Sequence, residues 1–327
     1  MKLKTLIALI SCLFYFHEAS AQRRNIYFFK DNGTEVKVRD SADFIRVVSE
    51  PDSGSKLYNV TEFYLNKKPK LMGRSSEIEI LRFEGLAITY YRSGNKQTIT
   101  TYNNGIKIGD AYEYYPNGKL YIHKQYTPGK IEPHSSFVEK SLIIDCLDST
   151  GKQLVINGNG YYMGYDNKFK DINEEGNLKS GLRDGEWKGG YKTKTASLSF
   201  KEVYSNGELL SGESIDESGT VYTYKNRETA PEFKGGLDAF GKFLARNIRY
   251  PSYARSRNVQ GKVIVGFVVE KDGTLSGIKV LVNPDDELSM EAMRVLRQSP
   301  NWIAGKQHGK PVRVAYTVPV NFALGYN

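Results

Sequence analysis

The C-terminal third of the chain carries the clearest pattern of apolar and polar positions. Residues 261–270 are β-branched and aromatic enough to predict a buried strand, and residues 271–274 have the composition of a tight hairpin turn. A second strand is expected at about 275–282. Apolar residues then recur at helical spacing over 288–296, which predicts a helix with one apolar stripe. Strict alternation over 312–322 predicts a third strand with one buried face.

Two short helices are predicted ahead of these strands, at about 237–247 and from about Pro251 onward. This order of elements, over about residues 229–325, resembles the TonB C-terminal domain. The domain signature consists of Tyr250, Pro251, Gly261, Asp272, Gly273, Trp302 and Pro319. The resemblance implies an α+β domain with a three-stranded antiparallel sheet. It also implies a periplasmic domain that binds a short extended peptide of outer-membrane receptors and passes on work from an inner-membrane motor. Such peptides bind by adding a strand to a sheet.

Pro319 indicates which edge could receive that strand. Proline has no N–H, so within a sheet it belongs on an edge. Residues two apart point their backbone groups to the same side, so Arg313, Ala315 and Thr317 should share the outward side with Pro319. We therefore predict a peptide-binding edge at Arg313, Ala315 and Thr317. The alternative is that Pro319 only protects an edge against aggregation.

The N-terminus predicts export. Lys2 and Lys4, an apolar run at 6–16 and Ala19-Ser20-Ala21 form the pattern of a cleaved signal peptide at 1–21. A lipoprotein signal ending at Cys12 is the less favoured alternative. We expect the protein in the periplasm or at the periphery of the outer membrane. TonB proteins keep an uncleaved anchor helix, and its absence here puts direct energy coupling in doubt.

Residues 22–228 repeat themselves. Tyr90-Tyr91-Arg92-Ser93-Gly94 recurs 24 residues later as Tyr114-Tyr115-Pro116-Asn117-Gly118, and residues 147–151 recur after 25 residues as 172–176. Turn sequences with Gly between aromatic or β-branched runs predict β-hairpins. The interleaved segments 105–109 and 181–185, each followed by an aromatic residue, resemble the MORN repeat. The predicted fold class of this region is a MORN-like meander of β-hairpins.

The predicted organisation is thus a signal peptide at 1–21, a MORN-like repeat region at 22–228 and a TonB-like domain at 229–327. Residues 220–234 have the composition of a linker. The many tyrosines can cover one face of a single-layer sheet. They could instead bind carbohydrate or peptide. Residues 22–70 fit the repeats less well.

Composition narrows the chemistry. Lys and Arg number 46 against 37 acids, giving a formal charge of +9, but they form no contiguous basic run. Peptidoglycan, lipopolysaccharide or an acidic protein surface would be attracted, whereas an exported protein does not meet nucleic acid. Without the signal peptide, Cys146 is the only cysteine, and a buried apolar role is expected for it. His123, His134 and His308 are not spaced as metal ligands, so no cofactor or metal is predicted.

Two functional hypotheses follow. The first is a TonB-like adaptor or energy transducer that binds an extended, TonB-box-like peptide of outer-membrane receptors. The second is a non-transducing cell-envelope protein that uses both parts only as binding modules. No nucleophile elbow or phosphate loop is found, so an enzyme is not expected.

Overall fold

The computed structural model describes residues 24–127, 141–193 and 196–324. The predicted signal peptide, with Cys12, lies outside the described residues, and so does His134. The chain divides into two compact units, residues 1–142 with 146–152 and residues 143–145 with 153–327. The predicted domain boundary at 228 lies within the second unit.

The first unit is a succession of antiparallel hairpins. From β3 to β9 each strand pairs with the next along the chain, and β1 pairs with both β2 and β3. Its strands are β1 (Arg24–Phe29), β2 (Glu35–Val36), β3 (Phe44–Ser49), β4 (Tyr58–Tyr64), β5 (Pro69–Ser75), β6 (Gly85–Tyr90), β7 (Lys96–Asn103), β8 (Ile106–Tyr114) and β9 (Leu120–Tyr126), with a 3₁₀ turn at Arg39–Ser41; β10 (Ser141–Leu147) contributes residues to both units.

The repeated turns of the first unit share one hydrogen-bond pattern. The Tyr91 N–H donates to the Asn95 carbonyl at 2.9 Å, and the Gly94 N–H donates to the Tyr91 carbonyl at 2.8 Å. The turns at 115–119 and 148–152 repeat both bonds. The sequence repeat at residues 90 and 114 therefore corresponds to a structural repeat. The MORN-like identity of these hairpins stays a prediction.

Tyrosine hydroxyls join each of these turns to the next. Tyr64 donates to the carbonyl of Tyr90 at 2.8 Å, and Tyr91 donates to the carbonyl of Tyr114 at 2.6 Å. Tyr115 continues the series by donating to Leu147 at 2.9 Å. Burial raises the pKa of Tyr91 to about 12. A lone hairpin is barely stable in water. The hydrogen bonds of these tyrosines between neighbouring hairpins therefore contribute to the stability of the region.

The second unit contains further hairpins followed by a smaller α+β domain. Strands β11 to β17 each pair antiparallel with the next strand, as far as their pairings are described. The elements are β11 (Gln153–Ile156), β12 (Asn159–Tyr165), β13 (Ile172–Lys179), β14 (Leu182–Lys192), β15 (Ser197–Ser205), β16 (Glu208–Asp216), β17 (Val221–Tyr224), β18 (Glu228–Thr229), α1 (Gly236–Asn247), α2 (Ser252–Ser256), β19 (Gly261–Val269), β20 (Leu275–Val282), α3 (Asp286–Arg297), β21 (Lys306–Gln307), β22 (Lys310–Pro311) and β23 (Val314–Phe322).

The C-terminal domain confirms the predicted elements. Its sheet has the order β20-β19-β23, and its core is built around Trp302. The Trp302 ring lies 5.7 Å from Phe233, 5.4 Å from Phe240 and 5.3 Å from Phe267. Helix α3 begins after Asp285, whose Oδ1 accepts from the Glu287 N–H at 3.0 Å, a typical N-cap.

One prediction within the repeats is wrong. Residues 172–176, predicted to repeat the turn at 147–151, belong to strand β13. Gly176 lies beneath the Trp187 ring, where an added Cβ would be 2.5 Å from ring carbons. The glycine therefore admits an aromatic ring across neighbouring strands, and the equivalent turn lies at 166–171, where the Asp166 N–H donates to the Asp171 carbonyl.

The predicted linker at 220–234 is also wrong, because it contains β17, β18 and Arg227, which pairs with the buried Glu202. The Glu202 side chain is fully buried, and Arg227 donates to both of its oxygens, with Nε at 2.9 Å from each. Tyr224 and Tyr204 donate to the same carboxylate at 2.8 and 3.0 Å. The polar composition that indicated a linker belongs instead to a structured network.

Within the second unit, the hairpin formed by β21 and β22 connects the C-terminal domain to the repeat strands. We call residues 306–311 the clasp hairpin. The His308 ring stacks on Phe200 at 4.8 Å, and its carbonyl accepts from the Ser214 hydroxyl at 2.7 Å. The Lys310 ammonium lies 2.9 Å from Asp216. The last repeat strands and the C-terminal domain are thereby packed together.

His308 should make the stability of this junction depend on pH. Burial and the charge of Arg227 lower the pKa of His308, although Glu202, Glu228 and Glu174 oppose the shift. The unfolded state, with a histidine pKa near 6.5, therefore binds a proton more readily than the folded state. The contribution of neutral His308 to the free energy of unfolding should therefore be fully present above about pH 6.5. It should decrease as the pH falls below that value. The melting temperature, measured from pH 7.5 to 5.5, should fall with decreasing pH. His308→Phe keeps an aromatic ring on Phe200 and should reduce this pH dependence. If the pH dependence is unchanged in the variant, other groups cause it.

Candidate functional site

Strand β23 forms one edge of the C-terminal sheet. It pairs with β19 along its length, and no strand in the described part of the chain pairs with its other side. The side chains of Val318 and Val320 are buried, whereas Ala315, Thr317 and Pro319 are exposed. The strand thus has a core-facing row and a solvent-facing row, as the alternation predicted.

The register determines which backbone groups point outward. Pro319 lies opposite Ile264. Opposed residues of an antiparallel pair alternate between hydrogen-bonded and non-hydrogen-bonded positions, and a proline must occupy the latter. Ala315 and Thr317 share the parity of Pro319, so their N–H and C=O groups face away from β19. Arg313 has the same parity but lies one residue before the strand begins.

Arg313 joins the start of this edge to the end of β19. The Arg313 Nε lies 2.7 Å from Glu270 Oε2, and the Arg313 Nη2 lies 2.9 Å from Glu270 Oε1. The hydrogen bonds from Arg313 are the main cause that lowers the pKa of Glu270. The Arg313 side chain is 61% exposed, so this is a surface ion pair. Glu270 was not predicted, because it becomes a neighbour of Arg313 only once the register of β19 and β23 is known.

The other signature residues support the sheet from behind the edge. The Tyr250 hydroxyl donates to the Val259 carbonyl, and its ring packs against Phe322. Pro251 is the N-cap residue of α2. Gly261 lies against Pro284, which an added Cβ would approach to 2.9 Å. These residues are brought together around the sheet, yet they serve packing and turns.

Asp272 and Gly273 form the turn between β19 and β20. Asp272 Oδ1 accepts from the Thr274 N–H at 3.0 Å, and the Gly273 carbonyl accepts from the Trp302 N–H at 2.8 Å. Gly273 has φ +84°, and an added Cβ would lie 2.0 Å from the Trp302 carbonyl oxygen. Only glycine fits a turn that also anchors the central tryptophan.

Gly273→Ala should therefore destabilise the second unit by about 1 to 3 kcal/mol, the usual range for a strained backbone position. Gly241→Ala is the matched control, since Gly241 lies in α1 with open space around its Cα. That variant should be neutral or slightly stabilising. Denaturant unfolding followed by fluorescence measures both, and equal effects would contradict the role given to the turn.

The described residues contain no cluster of three or more His, Cys, Asp or Glu side chains that could hold a metal ion. None of their helices is both long enough and apolar enough to span a membrane. Cys146 is fully buried, as expected. The chemistry that the β23 edge offers is hydrogen bonding by backbone groups.

Comparison with known proteins finds similarity in the C-terminal part of the chain. Residues 246–324 match the family model described as the Gram-negative bacterial TonB protein C-terminal. Two NMR solution structures of the Helicobacter pylori TonB C-terminal domain, a longer and a shorter segment, are 25% and 26% identical to the matched part. Each match covers 28% of this chain, and 82% and 96% of the respective solved chains, with a TM-score of 0.23 in both cases. A search of curated proteins found no match. The family-model match thus places a similarity to the TonB C-terminal family at residues 246–324 of this chain.

Proposed function

We propose that this protein is a TonB-like adaptor of the Gram-negative cell envelope that captures an extended peptide by strand addition to β23. The peptide would come from the N-terminal region of an outer-membrane receptor in TonB-dependent transport. Binding then needs no catalytic group, cofactor or metal. The role as an exported, periplasmic protein is part of this proposal.

The observation that supports it is the outer side of β23. The outward backbone groups at 315 and 317 follow from the pairing of Pro319 with Ile264. A peptide could exchange backbone hydrogen bonds with both residues, and Pro319 would limit the length of the added strand because it offers no N–H. The exposed side chains of Ala315 and Thr317 are small, so they leave room for a neighbouring strand.

The clasp hairpin offers a physical route from this edge to the repeat strands. Only Val312 and Arg313 separate β22 from β23. A pull on a peptide bound at β23 would therefore act on the clasp hairpin, which is held by the Lys310 and Asp216 ion pair and by the packing of His308 on Phe200. This arrangement suits an adaptor that connects a receptor peptide to another envelope partner.

An NMR titration tests the proposal. The chain from Gln22 onward, labelled with ¹⁵N, is titrated with N-terminal peptides of outer-membrane receptors, and the amides of β23 are followed. Saturable shifts centred on Ala315 and Thr317 are expected. A peptide with proline at alternate positions is the control, since it cannot form the ladder. Absence of shifts at millimolar peptide would contradict receptor recognition.

The second candidate is a non-transducing envelope protein in which both parts serve only as binding modules for another envelope protein, peptidoglycan or lipopolysaccharide. It is favoured by the number of hairpin strands, which make up the first unit and also the part of the second unit from β11 to β17. Deletion of the gene in a Gram-negative host distinguishes the two. Loss of receptor-dependent uptake supports the adaptor, whereas an envelope defect with normal uptake supports the second candidate.

A further inference from the structure

One face of the hairpin sheet in the first unit carries a row of uncharged, mostly apolar side chains across seven strands. Directly opposed residues of antiparallel strands place their side chains on the same face. The register of β1 and β3 to β8 therefore defines the row. We call it the apolar strip, and its members are Ile26, Val47, Thr61, Met72, Ile88, Ile99 and Tyr112.

The strip lies on the exposed face of these strands. The adjacent row on the other face is packed, and its buried members are Val48, Val60, Ala87, Thr100 and Ala111. In the strip, by contrast, Ile26 is 57% exposed, Met72 is 45% exposed, and the other five side chains are half-buried. An antiparallel sheet with one packed face commonly carries polar side chains on the other. The strip departs from that pattern, and contiguous exposed apolar patches mark interaction surfaces.

The surroundings of the strip have the arrangement of a protein interface. On one side, Phe28, Ile45 and Phe63 continue the apolar surface in register. At the β9 end, the row reaches His123, which pairs with Asp110 at 3.0 Å. The row on the remaining side is polar and consists of Arg24, Ser49, Asn59 and Arg74. An apolar centre with a polar rim is typical of protein interfaces, and homodimer interfaces are the more apolar ones.

The dimensions of this face suit the packing of one sheet on another. Neighbouring strands lie about 4.8 Å apart, so seven strands span about 29 Å. The strands contain six to nine residues. At about 3.4 Å per residue, the face measures about 600 to 850 Å². A stable interface of standard size buries about 800 Å² on each partner.

Charge favours a second copy of the chain as the occupant. A two-fold dimer brings the same surface of both copies together. Each chain carries a formal charge of +9, so a charged surface would meet like charges in its own copy. The strip contains no charged residue and avoids this repulsion. It also offers no cation to an anionic partner and no carboxylate to a basic one.

We propose that two copies of this chain pack through their apolar strips, sheet face against sheet face, and form a two-fold dimer. Sheets packed in this way lie about 10 Å apart, with their side chains interdigitated. The contact belongs to the first unit and does not use β23. A dimer would therefore carry two β23 edges, and one assembly could hold two extended peptides.

Sedimentation equilibrium of the chain from Gln22 onward tests this proposal. At micromolar concentration, the mass should be twice that of one chain. Met72→Glu should raise the dissociation constant of the dimer at least about a hundredfold, because two carboxylates would be buried without a cation. Since Met72 is 45% exposed, the monomer should stay folded, which thermal melting verifies.

The matched control is Leu210→Glu, which adds the same charge at an apolar residue of the second unit that is 52% exposed. It should leave the dimer intact, and so should Met72→Leu. Thr317→Pro should leave it intact as well, which distinguishes face packing from pairing between two β23 edges. A monomeric native chain would overturn the proposal. A dimer that survives Met72→Glu, or one that is lost in Thr317→Pro, would also overturn it.

Crosslinking provides a second measurement in case Met72→Glu does not fold. Cys146 is buried, so a bismaleimide should react with a cysteine introduced at the surface. Met72→Cys chains should be linked in pairs, whereas Leu210→Cys chains should not, and equal linking of both would contradict the proposal. Peptide shifts at β23 should be the same in the native chain and in Met72→Glu, so the titration remains a separate test.

Discussion

Replacing Arg227 with alanine should destabilise the second unit by about 3 to 5 kcal/mol, because a buried carboxylate loses its only contacting cation among the described residues. Glu202 has no exposed side-chain surface. After the change, its remaining described partners are the hydroxyls of Tyr204 and Tyr224 and the His308 ring, whose Nε2 lies 3.8 Å away. Packing of the guanidinium over Phe200, at 4.9 Å, is lost as well.

The stability lost in Arg227→Ala should depend on pH, whereas a loss of packing alone would not. In the native protein, burial alone would raise the pKa of Glu202, but hydrogen bonds and charge from Arg227 lower it overall. Its contribution is therefore present above the ordinary carboxylate pKa and is lost as the pH falls through the folded-state value. Without Arg227, burial should raise that pKa, so the variant should gain stability relative to the native protein between pH 7 and 5.

Arg313→Ala is the control, since it removes the same kind of ion pair at the surface. Arg313 is 61% exposed, and exposed ion pairs contribute little to stability because solvent screens them. Urea unfolding, with hydrogen exchange of β15 and β17 amides, measures both variants. If both lose the same small amount of stability, Glu202 is hydrated in solution and the network is not a stabilising centre.

The C-terminal domain could be predicted from sequence because each of its elements has a local signal. The alternation that ends at Phe322 and the Asp272-Gly273 turn each agree with the tertiary structure. When local propensity and burial point to the same element, a single sequence suffices.

The junction between the last repeat strands and the C-terminal domain could not be predicted, because the residues that form it are far apart in the sequence. Glu202 lies in a strand and Arg227 in a stretch with the composition of a linker, and their pairing needs the sheet register as well as the path of the chain after β17. The turn predicted at Gly176 was wrong for a similar reason. In the sequence alone, a glycine that leaves space for the Trp187 ring cannot be distinguished from a glycine in a turn. The partner in each case lies on another strand.

The candidate edge at β23 could be predicted from the sequence in part. Pro319 alone indicated an edge strand and the parity of its neighbours, because the missing N–H is a local chemical fact. The Glu270 and Arg313 ion pair was missed because it depends on the β19 register.

Thr317→Pro should abolish peptide binding at β23 while the domain stays folded. The Thr317 N–H faces away from β19, so its loss breaks no bond within the sheet, and Thr317 opposes Gly266, whose lack of a side chain leaves space. A bound peptide would lose one backbone hydrogen bond and meet the proline ring. We expect affinity to fall at least tenfold, with the free energy of unfolding changed by about 1 kcal/mol or less.

Two controls separate the possible reasons for such a loss. Thr317→Val keeps the N–H and should bind normally, which excludes a role of the hydroxyl. Val318→Pro removes an N–H on the inner side and should unfold the domain, because that group faces Val265 on β19. If Thr317→Pro unfolds the domain as Val318→Pro does, the parity inferred from Pro319 is wrong. If it binds peptide normally but aggregates less, Pro319 and its neighbours protect the edge, and the peptide binds elsewhere.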